Sequence, residues 1–191
     1  VKDKLENIDN KKVAIIVVDM LNDFVTGALK CEGAKDIIAS TVSLLDSARK
    51  HNIPVIFSND AHIKGIDHEL ALWGDHGIAG TDGAKVIPEL GVCEKDYVVP
   101  KRRYSGFFGT DLDILLRELK VDTLIITGLH TNICVRHTCA DGFCLGYKIV
   151  VPSDATNAFT KKDYEEGLEY LKMVYGAKVI TSSELVKLFD K

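Results

Sequence analysis

Val13-Ala-Ile-Ile-Val-Val18, running directly into Asp19, is the stretch that decides the fold. Six consecutive apolar residues, all but one β-branched, are too short for a helix. They lack the polar alternation of a one-sided strand and fit a parallel strand covered on both faces. Similar runs follow at Val55-Ile-Phe57, Tyr97-Val-Val99, Leu124-Ile-Ile126 and Lys148-Ile-Val-Val151, with a weaker one at Lys178-Val-Ile180. Between them lie amphipathic stretches near 35–50, 110–120, 132–145 and 162–175, and Thr181-Ser-Ser-Glu184 reads as the capping box of a last helix. Such alternation predicts an α/β fold: a doubly wound, mostly parallel six-stranded sheet with helices on both faces, a Rossmann-type three-layer sandwich. Ligands of such sheets sit beyond the carboxyl ends of the strands. At 191 residues the chain is expected to form one domain over 1–191.

Composition narrows the partners. A net charge of −4 provides no positive field for a phosphate backbone, so a small molecule is expected and nucleic acid is not. No run approaches the ~20 apolar residues of a membrane span. The charged start VKDKLENIDNKK lacks the apolar core of a signal peptide, which points to a cytoplasmic protein. Five cysteines without a CxxC pair suit free thiols in a reducing compartment.

Polar residues gather at the predicted strand ends: Asp19 after the first, Asp60 after the second, Lys101 after the third and Gly128 after the fourth. The turn Gly128-Leu-His-Thr-Asn-Ile-Cys134 leads into a helix, placing Cys134 near a helix N-terminus, where the dipole favours a thiolate. A nucleophilic cysteine, a carboxylate that moves its proton and a lysine that supplies charge make a set for covalent catalysis. From spacing alone Cys134 reads equally well as a buried small hydrophobe, and Asp19 and Lys101 as solvated strand-end charges. Cys139 and Cys144 read as structural, and His51 and His137 have no neighbours of interest.

The stretch 59–93 is too long for an ordinary connection. Within it Asp60-Ala-His62, His68 and Trp73-Gly-Asp-His76 bring imidazoles and a carboxylate within seventeen residues. Two histidines and a carboxylate suit Zn²⁺, Fe²⁺ or Mn²⁺, with exposed loop histidines as the alternative.

Three motifs then fall in one order: Val17-Val-Asp-Met-Leu-Asn-Asp-Phe24, Lys101-Arg-Arg-Tyr-Ser-Gly-Phe-Phe-Gly-Thr110 and Gly128-Leu-His-Thr-Asn-Ile-Cys-Val135. In order and spacing the chain resembles the isochorismatase-like cysteine hydrolases, which include nicotinamidases and N-carbamoylsarcosine amidases. The resemblance spans nearly the whole chain. It implies a catalytic triad of Asp19, Lys101 and Cys134, a cis peptide before His130, and an oxyanion hole from the backbone N–H groups of His130 and Cys134. It places substrate against Phe24, Trp73, Arg102, Arg103, Tyr104 and Thr131. It implies a divalent metal, zinc first, on Asp60, His62 and His76, with His68 as a fourth ligand.

The implied reaction is cleavage of a small amide with release of ammonia through a thioester, with nicotinamide as first substrate on the metal ligands. His130, where nicotinamidases commonly carry a small residue, and the two arginines keep a carbamoyl or ureido acid as the alternative. Homo-oligomers are common among such proteins, and Trp73, Phe107 and Phe108 lie on segments that could meet a neighbour. A phosphoryl-receiver domain would also place carboxylates such as Asp19, Asp23 and Asp60 near a lysine, but has no use for the turn into Cys134. A binding protein on the same fold, without turnover, is the third reading.

Overall fold

The computed structural model describes residues 7–191; the first six residues of the charged amino-terminal segment lie outside them. The chain runs β1 (Val13–Val18), α1 (Asn22–Val25), a 3₁₀ turn (Glu32–Ile37) passing into α2 (Ile38–Lys50), β2 (Val55–Asp60), α3 (Leu70–Trp73), β3 (Tyr97–Lys101), α4 (Leu112–Glu118), β4 (Thr123–Leu129), α5 (Cys134–Cys144), β5 (Lys148–Pro152), β6 (Thr156–Asn157), α6 (Lys161–Tyr175), β7 (Lys178–Ile180) and α7 (Ser182–Phe189). Every strand pair is parallel, and the order is β3-β2-β1-β4-β5-β7 with β6 against the end of β4. The sheet therefore has seven strands where six were expected. The extra one is a two-residue pairing of Thr156 and Asn157 with Gly128 and Leu129, too short to leave a sequence pattern.

β1 lies at the centre, and all six of its residues are buried. Val13, Ile15 and Val17 face one layer, packing with Leu44, Leu45 and Ala48 of α2 and Leu185 and Phe189 of α7. Ala14, Ile16 and Val18 face the other, with Leu112 and Leu116 of α4, Val135 and Cys139 of α5 and Leu168 and Leu171 of α6. An unbroken apolar run is what two-sided burial requires, since successive strand side chains point to opposite faces. The capping box of α7 is present, with Thr181 and Glu184 bonding each other's backbone N–H.

The chain order changes direction between β1 and β4, leaving a crevice beyond their carboxyl ends. Gly128 makes that crevice tight. It pairs with Val18 and has φ +101°, and a Cβ there would lie 2.0 Å from the Val18 carbonyl oxygen. Among the described residues no helix is long and apolar enough to cross a membrane.

Candidate active site and metal cluster

Asp19 is the first residue past β1 and is fully buried. Its φ of +52° is a left-handed conformation that few non-glycine residues adopt, and it turns the carboxylate back over the sheet end. Asp19 Oδ1 accepts the Asp60 backbone N–H at 2.8 Å, and Oδ2 lies 2.8 Å from Lys101 Nζ. Lys101, the last residue of β3, is also buried, and its ammonium donates to Asp60 Oδ1 at 2.5 Å. The strand register, with Asp60 opposite Lys101, sets this contact. One buried cation thus holds two buried carboxylates.

Cys134 opens α5 and is 4% exposed. No side chain caps this helix, so its dipole and free N–H groups are available to the cysteine. The Leu129-His130 peptide is cis. Among the described residues, neither the His130 nor the Cys134 amide donates a backbone hydrogen bond in the turn between β4 and α5. The loop after Lys101 is strapped to the same helix. Thr138 Oγ1 donates to the Cys134 carbonyl at 2.7 Å and accepts the Gly106 N–H, while Ser105 Oγ donates to Asp141 at 2.5 Å.

Burial, and then the neighbouring Asp60, push Asp19 up to about 6 against the pull of Lys101. Burial alone would lower Lys101, but Asp19 and Asp60 outweigh it and hold the ammonium well above its usual range. Burial raises the Cys134 thiol well above the ordinary cysteine value, with Lys101 opposing. The site therefore holds a thiol beside a carboxyl group lifted to about 6 by burial.

Beside this group, Asp60, His62, Glu69 and His76 are all buried, with ligand atoms within 4.8 Å of one another. Asp60 Oδ2 stands 3.6 Å from His62 Nε2 and 3.8 Å from His76 Nε2, and Glu69 Oε1 lies 3.8 Å from His62 Nε2. Both imidazoles have their other nitrogen engaged: His62 Nδ1 faces Asp67 Oδ2 at 3.2 Å, and His76 Nδ1 faces the Gly74 carbonyl at 2.8 Å. His62 Nε2 is buried and unpartnered. An outer acceptor that orients each ring and frees its inner nitrogen is the pattern of metal-binding histidines, so these residues fit a divalent ion. Burial disfavours a charged His62, yet Asp60, Asp67 and Glu69 outweigh it and raise its proton affinity. Burial and then Asp60 push Glu69 up to about 7, as expected of carboxylates crowded without a sufficient counter-charge.

His68 is not in this cluster. Its side chain is exposed and borders an outer groove with Leu72, Arg103 and Phe108, while its chain neighbour Glu69 turns inward.

A narrow cavity runs between Cys134 and the cluster; it is lined by Phe24, Trp73, His76, Tyr104, His130, Ile133, Cys134 and Phe159 together with Asp60, Glu69 and Leu29. Its walls are largely aromatic. Phe159 stacks on His130 with ring centroids 4.0 Å apart and on Trp73 at 5.9 Å, Phe24 meets His130 edge-on, and Trp73 Nε1 donates to Tyr104 Oη at 3.0 Å. Phe24, Trp73 and Tyr104, expected from the resemblance to meet substrate, thus line this cavity.

Three other substrate candidates stand elsewhere. Arg102 is committed to Asp67, with Nε 3.0 and 3.1 Å from its two oxygens and Nη2 also bonded to Oδ1, because a forked guanidinium and a buried carboxylate satisfy each other. Arg103 borders the outer groove and donates to the Arg102 carbonyl. Thr131 is fully buried; its hydroxyl pairs with Thr156 and its N–H with the Asn157 carbonyl, pinning β6 to β4. Glu69, Phe159 and Asp67 escaped sequence reasoning. Asp23, weighed in the sequence only as a carboxylate of a receiver domain, accepts the Gly77 N–H at 2.9 Å and steadies the turn that carries His76.

Residues 13–184 match the isochorismatase domain. The N-carbamoylsarcosine amidase of Thermoplasma acidophilum is 39% identical in sequence and superposes with a TM-score of 0.84, over 90% of this chain and 96% of that one. The nicotinamidase/pyrazinamidase PncA of Bacillus subtilis is 34% identical with a TM-score of 0.84, over 88% and 99%. The pyrazinamidase of Pyrococcus horikoshii, solved in complex with zinc, is 29% identical with a TM-score of 0.83, over 89% and 99%. With the family domain spanning most of its length and such neighbours sharing its fold, the chain belongs to the isochorismatase-like hydrolase family.

Proposed function

We propose that the protein hydrolyses a small amide with Cys134 as nucleophile, releasing ammonia. The observation that carries the reading is the contiguity of Asp19, Lys101 and Cys134: two buried charges paired at 2.8 Å, both acting on the Cys134 thiol, which hydrogen-bonds Asp19. Asp19 takes the thiol proton as Sγ attacks the amide carbon, and Lys101 holds the negative charge in place. The oxyanion accepts the N–H groups of His130 and Cys134, donors worth ~2.7–4 kcal/mol of barrier each in comparable sites. Asp19 then gives its proton to the departing amine, leaving a thioester. A water, losing a proton to Asp19, attacks the thioester carbon, and the acid leaves as the proton returns to sulfur. A carboxyl group near pH 6 suits both directions of that transfer.

Asp60, His62, Glu69 and His76 would hold a divalent ion, zinc first, which when bound supplies a fixed positive charge beside the cavity. The flat, aromatic walls favour a planar carboxamide, so nicotinamide is the first substrate. An N-carbamoyl acid is the second, favoured by the 39% identity to the Thermoplasma enzyme, although Arg102 is engaged with Asp67. The protein is proposed to act in the cytoplasm and as a homo-oligomer. Leu72 and Phe108, 72% and 66% exposed beside one groove, offer an apolar face for a second copy.

An ammonia-release assay of purified protein on nicotinamide, N-carbamoylsarcosine and ureido acids tests this reading. Activity on one of them is expected to vanish in Cys134→Ala; full activity in that variant would overturn the mechanism.

A further inference from the structure

His130 enters the proposed chemistry only through its backbone N–H, and its side chain is the harder half of the residue to explain. The ring is 3% exposed, lines the cavity beside Cys134, and lies stacked on Phe159 with Phe24 edge-on. A phenyl ring would fill that slot as well, so packing gives no reason for nitrogen. Nε2 is buried and has no hydrogen-bond partner among the described residues. Elsewhere in the wall polar atoms are engaged: Trp73 Nε1 donates to Tyr104 Oη, and His76 Nδ1 faces the Gly74 carbonyl. A buried polar atom left unpaired in a cavity destabilises the empty protein and calls for a partner from outside. Burial outweighs Asp60 and keeps the ring neutral, so one of its nitrogens donates, the other accepts, and the tautomer can follow the guest.

We propose that the His130 imidazole is a specificity-determining group that hydrogen-bonds a nitrogen in the body of the substrate, so that the site selects nitrogen-bearing amides over their hydrocarbon isosteres. This rests on the reading of the protein as a small-amide hydrolase and extends it to the part of the substrate that does not react. The ring hangs from the residue whose amide meets the oxyanion, so a guest held there lays the atoms beyond its carbonyl along the imidazole. A heteroaromatic ring nitrogen would accept the imidazole N–H, and a ureido N–H would donate to its lone pair. Carbon at the same place would leave Nε2 unpaired, which is how a polar pocket rejects an isostere.

The test compares kcat/KM for ammonia release by purified, full-length protein on two isosteric pairs: nicotinamide against benzamide, and N-carbamoylglycine against succinamate. In whichever pair the wild type hydrolyses, the nitrogen-bearing member should be favoured on the order of tenfold or more, and His130→Phe should lower that ratio by a similar factor. A loss of rate common to both members leaves the ratio unmoved, so a merely structural role is told apart. His130→Asn, which keeps a donor and an acceptor, should restore part of the preference, and His130→Leu replaces the phenylalanine variant should that one fold poorly. A wild-type ratio near one, or a ratio that the apolar variant leaves unchanged, would overturn the proposal while Cys134-dependent ammonia release, and with it the amide reading, stands. Should neither pair be hydrolysed, the same four compounds are titrated calorimetrically into Cys134→Ala, where equal affinities within each pair, or no binding, would overturn it.

Discussion

Replacing His130 by phenylalanine should remove a loss of stability that the wild-type protein suffers in mild acid. The imidazole is 3% exposed and stacked on Phe159 at 4.0 Å, a packing that a phenyl ring can keep. Burial first, opposed by Asp60 and helped by Lys101 and His76, lowers its pKa from 6.5 to about 4. The unfolded chain therefore takes up a proton near pH 6.5 while the folded protein does not until about pH 4. The stability this residue contributes is complete above 6.5 and is lost as pH falls through that window. At 1.36 kcal/mol per unit, the whole window amounts to about 3 kcal/mol, and integration down to pH 5 gives roughly 2 kcal/mol. Urea unfolding of both proteins at pH 8 and pH 5, with chelator present, measures the difference. All other titrations are shared, so the wild type should lose roughly 2 kcal/mol more than His130→Phe between the two pH values. Equal losses would show that the ring is not held neutral by burial.

Arg102→Met should lower divalent-ion affinity by about 10–100-fold, because it frees Asp67 and loosens the bond that orients His62. Chelator competition followed by metal analysis reads this, and an unchanged affinity would return Arg102 to the surface. Thr131→Val should cost about 0.5–1.5 kcal/mol in thermal or urea unfolding by removing its bond to Thr156, which keeps its own donation to the Gly128 carbonyl. The KM for the amide should stay unchanged; a raised KM with unaltered stability would restore Thr131 as a substrate contact. Gly128→Ala should prevent accumulation of soluble protein, since the added methyl meets the Val18 backbone at 2.0 Å and cannot be moved aside. Soluble protein with wild-type melting behaviour would contradict that packing.

What the sequence disclosed, and what it hid, follows from how far each feature depends on chain neighbours. Val13–Val18 could be read as a central strand because two-sided burial writes itself into six successive side chains. Asp60 looked like a residue beyond β2, since Ser58, Asn59 and Asp60 are polar; yet they are buried and continue the pairing with β3 as far as Lys101. The two-residue β6 exists only by virtue of its partners in β4. The sequence offered His68 as a ligand and passed over Glu69, and the turn from Ile63 to Leu70 brings Glu69 to the cluster and leaves His68 exposed. Arg102 offered a fork to any carboxylate, and the one it meets is 35 positions away in the chain. Motif order carried the family, because three separated segments must each supply a strand end or helix start to one crevice.

The Trp73 indole adds an optical consequence. It is the chain's single tryptophan, stacked on Phe159 and hydrogen-bonded to Tyr104 at the rim of the cavity. Its emission therefore comes from that rim and from nowhere else, so a guest that parts these rings changes the fluorescence of the unlabelled protein. Occupancy of the cavity can be followed in real time in a variant that performs no chemistry at all.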